Sequence, residues 1–165
     1  MENQNNSEWH FFNMKIIYVA ILFILTLMFI SFNLKAQIEA PVHWSYAVKK
    51  QNGQEATIFI KAAIDANWHI YSVNQKPGGP LKTSIEFTPS NNYSLDGKLI
   101  EPNPHTIYDE VFEMDVSYFE KSVIFQQKVR LNAGQATIKG KINYMVCSGE
   151  KCINPDDFLF TIPIK

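Results

Sequence analysis

The chain has 165 residues, 15 of them lysine or arginine and 16 aspartate or glutamate, so its formal net charge at pH 7 is −1. This balance provides no basic field that could gather phosphate groups, which argues against a nucleic-acid partner. The sequence contains two cysteines, Cys147 and Cys152.

The first 36 residues differ in composition from the rest. Residues 16–30 form an apolar run broken only by Thr26, with Lys15 before it and Leu-Lys-Ala at residues 34–36 after it. This order is typical of a secretory signal peptide, so we predict cleavage near Ala36 and a periplasmic or otherwise exported mature protein. The alternative is an uncleaved anchor, but a helix over the run would span about 22 Å, short of the roughly 30 Å hydrocarbon core.

Residues 37–165 are enough for one domain that buries about two thirds of its unfolded surface. Period-two alternation dominates this region, and no segment longer than about ten residues keeps a helical period, which favours an all-β domain. The strongest hairpin signal is Asn52-Gly53, which we predict to supply two positive-φ residues to a tight turn. Alternating apolar residues flank it at 42–48 and 56–62.

The rest of the region predicts further short strands separated by turn residues. These strands are expected at residues 68–73, 84–87, 98–100, 116–119, 123–131, 136–146 and 158–164. Eight or nine short antiparallel strands with turns every 8 to 12 residues indicate an immunoglobulin-like β-sandwich.

Residues 101–114 show no clean period after Pro102 and Pro104, and we interpret them as an ordered surface loop. Structureless stretches of this length are uncommon in compact domains and often serve a function. Acidic residues cluster in the second half of this loop and just after it: Asp109, Glu110, Glu113, Asp115 and Glu120. This cluster fits either a solvated surface or a functional site.

The cysteines are separated by four residues at a point where a strand must turn. In a hairpin they lie opposite each other, about 4.5 to 5.5 Å apart at Cα, which a disulfide tolerates. Such a short loop restrains the unfolded chain by only about 2 kcal/mol, against about 4 to 5 for a bridge across a domain. A structural bridge and a redox-active pair both stay open, but the small gain in stability weakens the first.

The alternation of residues along the strand predicts which face of the strand Cys147 lies on. Ile142, Tyr144 and Val146 share one side of their strand, which puts Cys147 on the polar side with Met145. We therefore expect Cys147 to be reachable by a partner, as exchange chemistry requires.

Other chemistry has little support. The histidines His43, His69 and His105 show no short spacing typical of zinc ligands, so we predict no metal and no cofactor. A Cu(I) carrier using both thiolates is a weak alternative, because residues 37–165 hold only Met114 and Met145 as further soft ligands.

Three stretches carry a resemblance to a known family. Residues 144–155, Tyr-Met-Val-Cys-Ser-Gly-Glu-Lys-Cys-Ile-Asn-Pro, resemble the active-site hairpin of the N-terminal periplasmic domain of the thiol:disulfide interchange protein DsbD. Residues 68–71, Trp-His-Ile-Tyr, resemble that family's aromatic strand beside the cysteines, and residues 108–112, Tyr-Asp-Glu-Val-Phe, the loop that caps them. The resemblance covers nearly all of residues 37–165, the part of the chain that follows the predicted signal peptide at residues 1–36.

Two departures from the family pattern matter. Better-known members place five residues between the cysteines, whereas this chain has four. In the family the cap phenylalanine directly follows the Asp-Glu pair, but here Val111 holds that position and Phe112 comes next. The resemblance therefore leaves open which of the two caps the sulfurs.

The resemblance implies dithiol–disulfide exchange in which Cys152 forms the mixed disulfide and Cys147 resolves it. Asp109 and Glu110, if close to the pair, would raise the pKa of a thiol because a nearby carboxylate disfavours the thiolate. His69 and Tyr71 share one face of their strand and are candidates for lining the site, although ordinary packing explains them as well.

The implied activity is that of a protein-disulfide reductase relaying electrons between thioredoxin-like proteins. Family members carry a membrane domain and a thioredoxin-like domain after this one, so we expect a separate membrane thiol transporter here. The mature domain is expected to be a monomer outside the membrane. The alternative is an extracytoplasmic binding module whose hairpin disulfide is purely structural.

Overall fold

The computed structural model describes Met14, residues 16–25 and residues 39–165. Met14 and residues 16–25 are helical and exposed, and the predicted cleavage site at Ala36 lies outside the described residues. The chain divides into a unit over Met1–Glu39 and a unit over Ala40–Lys165. Within the described part of the chain, no helix has both the length and the apolar character needed to cross a membrane.

The second unit consists of short antiparallel strands, as predicted. They are β1 (Val42–Lys50), β2 (Glu55–Ile64), β3 (His69–Tyr71), β4 (Ser84–Phe87), β5 (Tyr93–Ile100), β6 (His105–Asp109), β7 (Met114–Glu120), β8 (Ser122–Leu131), β9 (Ala136–Asn143), β10 (Val146–Cys147), β11 (Cys152–Ile153) and β12 (Phe158–Ile164).

The strands form three antiparallel sheets with the orders β1-β2-β8-β5, β11-β10-β3-β7-β6 and β12-β9-β4. The prediction of an all-β, immunoglobulin-like sandwich is confirmed. The described residues hold more strands than the eight or nine expected, because β6 and the two-residue strands of the cysteine hairpin add to the sandwich.

The core forms where the apolar phases of the strands meet. Along β8 every second residue is buried, and β12 continues the same alternation. Ile58, Phe125 and Ile138 are fully buried in one cluster that joins several strands. Complete burial of such a side chain stabilises a fold by about 1.5 to 3 kcal/mol, so this cluster fixes the frame that carries the cysteine hairpin.

The first hairpin is confirmed, but its predicted turn type is wrong. β1 and β2 pair in register from Val42 opposite Ile64 to Lys50 opposite Ala56. Neither residue of Asn52-Gly53 has a positive φ. Four residues connect the strands, and the Asn52 Oδ1 accepts the backbone N–H groups of residues 54 and 55 at 2.8 and 2.9 Å. A longer loop closed by a side chain does not need the positive φ that a two-residue turn requires.

The prediction of a loop over residues 101–114 is also wrong in part. Residues 105–109 form β6, which pairs with β7 from His105 opposite Tyr118 to Asp109 opposite Met114. β6 is an edge strand of its sheet, and its first four side chains are exposed. Because an edge strand of this kind buries neither face, its sequence shows no alternation for pattern analysis to detect.

Candidate redox site

The two cysteines lie at the base of a short hairpin. Cys147 in β10 and Cys152 in β11 are direct partners across the ladder, with Cα atoms 4.0 Å apart, and they form a disulfide. Ser148 shapes the turn: its N–H donates to the Lys151 carbonyl at 2.8 Å. Its Oγ accepts the backbone N–H groups of residues 150 and 151 at 3.2 and 3.3 Å. The predicted disulfide is therefore present, at a Cα spacing slightly shorter than expected.

The two sulfur-bearing residues differ in exposure. Cys147 is 2% exposed, whereas Cys152 is exposed to solvent. The prediction that Cys147 would be reachable is wrong, although its face was assigned correctly, opposite Val146. That face is covered by a second apolar cluster made of Tyr71, Val116, Phe112, Met114, Tyr118 and Met145. A partner meets Cys152 first.

The turn between β6 and β7 presents one apolar side chain to this cluster. The Asp109 Oδ1 accepts the backbone N–H groups of Val111 at 2.8 Å and Phe112 at 3.1 Å, which folds the turn. Phe112 is partly buried and packs on the cluster that contains Cys147, whereas Val111 is 86% exposed. The structure thus places Phe112 toward the cysteines. Glu110 lies exposed on the same turn.

His69 and Tyr71 are both brought to the site by β3. His69 is the ladder partner of Cys147. Its Nε2 lies 3.2 Å from the Tyr71 hydroxyl, and the two rings meet edge to face at 5.3 Å. The ring of Tyr118, in β7, lies 5.2 Å from that of His69. A packed aromatic surface therefore continues directly from the disulfide.

Burial sets the protonation of these two groups. It lowers the pKa of His69 from its ordinary value, and the charges of Glu120 and Asp109 offset part of this effect. Burial also raises the pKa of Tyr71, with a further contribution from Asp109. Both side chains are therefore neutral and able to hydrogen-bond at neutral pH.

Several residues of the site were not singled out from the sequence. Met114, Val116 and Tyr118 line the cluster from β7, and their period-two spacing is the signal that could have revealed them.

Glu101 was also missed, and no sequence pattern marks it. Its carboxylate accepts hydrogen bonds from the Ser72 hydroxyl at 2.5 Å and from the backbone N–H of Val73 at 3.0 Å. It also accepts one from the side-chain amide of Asn74 at 2.7 Å. Glu101 thereby ties the segment after β3 to the segment before β6.

The turn between the two cysteines contacts the residue that precedes β3. The Lys151 Nζ lies 5.8 Å from the centroid of the Trp68 ring, a cation–π distance that links the turn to the residue before β3. Within the described ranges, no group of three or more histidine, cysteine, aspartate or glutamate side chains is arranged to hold a metal.

Fold and site together define an immunoglobulin-like domain with one hairpin disulfide, one sulfur-bearing residue exposed and the other buried beneath an aromatic turn. The chain belongs to the family of N-terminal domains of the thiol:disulfide interchange protein DsbD, whose model matches residues 35–163. The resemblance seen in the sequence is confirmed. A search of curated proteins finds no match.

Solved structures with the same fold include the N-terminal periplasmic domain of ScsB from Proteus mirabilis, at 17% identity and a TM-score of 0.56. That match covers 78% of this chain and 49% of the ScsB chain, so this chain spans about half the length of that relative. Another is a complex between the DsbD and PilB N-terminal domains from Neisseria meningitidis, at 14% identity and a TM-score of 0.52, covering 79% of this chain and 88% of the matched chain.

Proposed function

We propose that this domain carries electrons between thioredoxin-like proteins by thiol–disulfide exchange through Cys147 and Cys152. The observation that supports it best is the unequal exposure of the two residues. Exchange requires a sulfur that an incoming thiolate can approach and a second thiol that stays close to finish the reaction. A bridge that serves stability alone does not need this asymmetry.

The chemistry balances in two steps. In the reduced domain, the Cys152 thiolate attacks a partner disulfide, forming a mixed disulfide and releasing one partner thiolate. Cys147 then loses its proton and attacks Cys152, which forms the Cys147–Cys152 bond and releases the second partner thiol. Two electrons have moved to the partner, so the domain acts as a protein-disulfide reductase. The reverse sequence reloads it.

The partners and the location that we propose follow from the family and its solved relatives. A DsbD N-terminal domain has been solved in complex with a PilB N-terminal domain, which supports a protein as partner. We propose a thioredoxin-like acceptor, a separate membrane thiol transporter as donor, and action as a periplasmic monomer after signal cleavage. The ScsB relative is a periplasmic domain, which is consistent with this location.

The competing function is a binding module in which the disulfide only closes a hairpin. The reduction potential distinguishes the two, because structural bridges in exported proteins typically lie below about −300 mV. We expect the Cys147–Cys152 couple to lie well above that value. Equilibration with glutathione or dithiol buffers, followed by alkylation and mass measurement, gives the potential. A bridge still oxidised below about −300 mV would support the binding module.

A further inference from the structure

One row of side chains crosses four strands on the face that carries the disulfide. Cys152 is the ladder partner of Cys147, Cys147 is that of His69, and His69 is that of Glu120. Directly opposed residues in antiparallel strands lie about 4.5 to 5.5 Å apart and project to the same side. An imidazole therefore stands between the buried cysteine and a carboxylate.

The surroundings of His69 hold the ring in place, and two nearby carboxylates partly offset the lowering of its pKa by burial. Tyr71 lies within hydrogen-bonding distance on its own strand, Tyr118 packs against the ring from β7, and the charges of Glu120 and Asp109 act on it. In the neutral tautomer that carries its proton on Nε2, the ring donates to the Tyr71 hydroxyl and the Nδ1 lone pair accepts a proton.

Cys147 needs such an acceptor when the domain is reduced. Its side chain is buried with apolar neighbours, and burial in apolar surroundings raises the pKa of a thiol and keeps it protonated. Only the thiolate attacks a disulfide. In the disulfide form Cys147 is only 2% exposed, so a basic side chain beside it is better placed than solvent to take the proton.

We propose that His69 is the general base of the resolving step. This inference rests on the proposed function. As Cys147 attacks the mixed disulfide, its S–H proton passes to the imidazole, the Cys147–Cys152 bond forms and the Cys152–partner bond breaks. The partner departs as a thiolate and takes up one proton, supplied by the imidazolium directly or through water. No redox agent besides the two disulfides is needed.

A small aromatic disulfide, dithiobis(nitrobenzoate), separates the two steps because each releases one coloured thiolate. The first, bimolecular release reports attack by Cys152, and the second, first-order release reports resolution by Cys147. In His69→Gln, we expect the second rate at pH 7 to fall about 100-fold, the lower end of general-base effects. The wild-type second rate should level off above the lowered pKa of His69, whereas the variant's should keep rising with pH.

His105→Gln is the matched control, since His105 also contacts Tyr118, at 5.8 Å between rings, but is not in the cysteine row. It should leave both rates and both pH profiles unchanged. A wild-type second rate and profile in His69→Gln would overturn the proposal, and so would an equal slowing of both steps. The assay uses a small molecule in place of the protein partner, so it tests the role of His69 even if the domain does not exchange electrons with thioredoxin-like proteins. In that case, a second step that depends on His69 would still support the proposal.

Discussion

The Cys147→Ser variant is expected to accumulate as a mixed disulfide with a thioredoxin-like protein, at least about tenfold more than Cys152→Ser. In the first variant, the remaining cysteine is the exposed Cys152, which a partner sulfur can approach in line. In the second, the remaining thiol is buried under the Phe112 turn and seldom meets a partner.

Trapping is measured by mixing each reduced variant with an oxidised thioredoxin-like protein and separating the products without reductant. The wild type serves as the control for resolution, because it should pass through the mixed disulfide without accumulating it. Equal trapping by the two variants, or trapping by Cys152→Ser alone, would show that the roles of the cysteines are shared or reversed.

Phe112→Ala is expected to speed reduction of the disulfide by dithiothreitol and alkylation of the reduced form by a small reagent. We propose that the Phe112 turn is a movable lid, which a docking protein displaces with its own contacts and a small thiol cannot. Exposing one such apolar side chain costs about 1.5 to 3 kcal/mol, which sets an upper limit of about 10- to 150-fold on the acceleration. Exchange with the proper protein partner should change much less.

Val111→Ala is the control for this lid, since Val111 sits on the same turn but is 86% exposed. Rates should be followed by stopped-flow for dithiothreitol and by mass for alkylation. The idea fails if small-thiol rates are unchanged in Phe112→Ala, or if Val111→Ala accelerates them equally.

Much of the fold was predictable because the alternation within a strand and the turn residues that end it are both visible in a short segment of sequence. The strands at residues 84–87 and 158–164 were predicted with the bounds that the structure shows. Here alternation is set by burial on one face, which sequence records directly. The pairing of Cys147 with Cys152 followed from the same logic, since a hairpin of known length fixes which residues oppose each other.

What failed depended on contacts distant in sequence. The polar phase of Cys147 correctly gave its face, but its burial depends on β7, which lies on the far side of β3 from β10. Strand β6 was missed because pairing at an edge leaves no apolar phase. Likewise, the choice between Val111 and Phe112 depended on how Asp109 folds the turn.

The alignment of His69 with the cysteines was open to prediction only in part. The sequence placed His69 and Tyr71 on one face of a strand, but strand order decides which residues stand beside them. The order β11-β10-β3-β7 puts the histidine next to Cys147 and Glu120 beyond it. Register between strands that are far apart in the chain is not contained in either strand's own pattern.

The most direct test of the relay is the rate of electron transfer between the reduced domain and an oxidised thioredoxin-like protein, followed by fluorescence or rapid quenching. We predict transfer at least about tenfold faster than from glutathione at equal thiol concentration, because docking displaces the Phe112 turn and presents Cys152. Reduction of the oxidised domain by a reduced thioredoxin-like protein should show the same advantage. Transfer no faster than with glutathione in both directions would contradict the account.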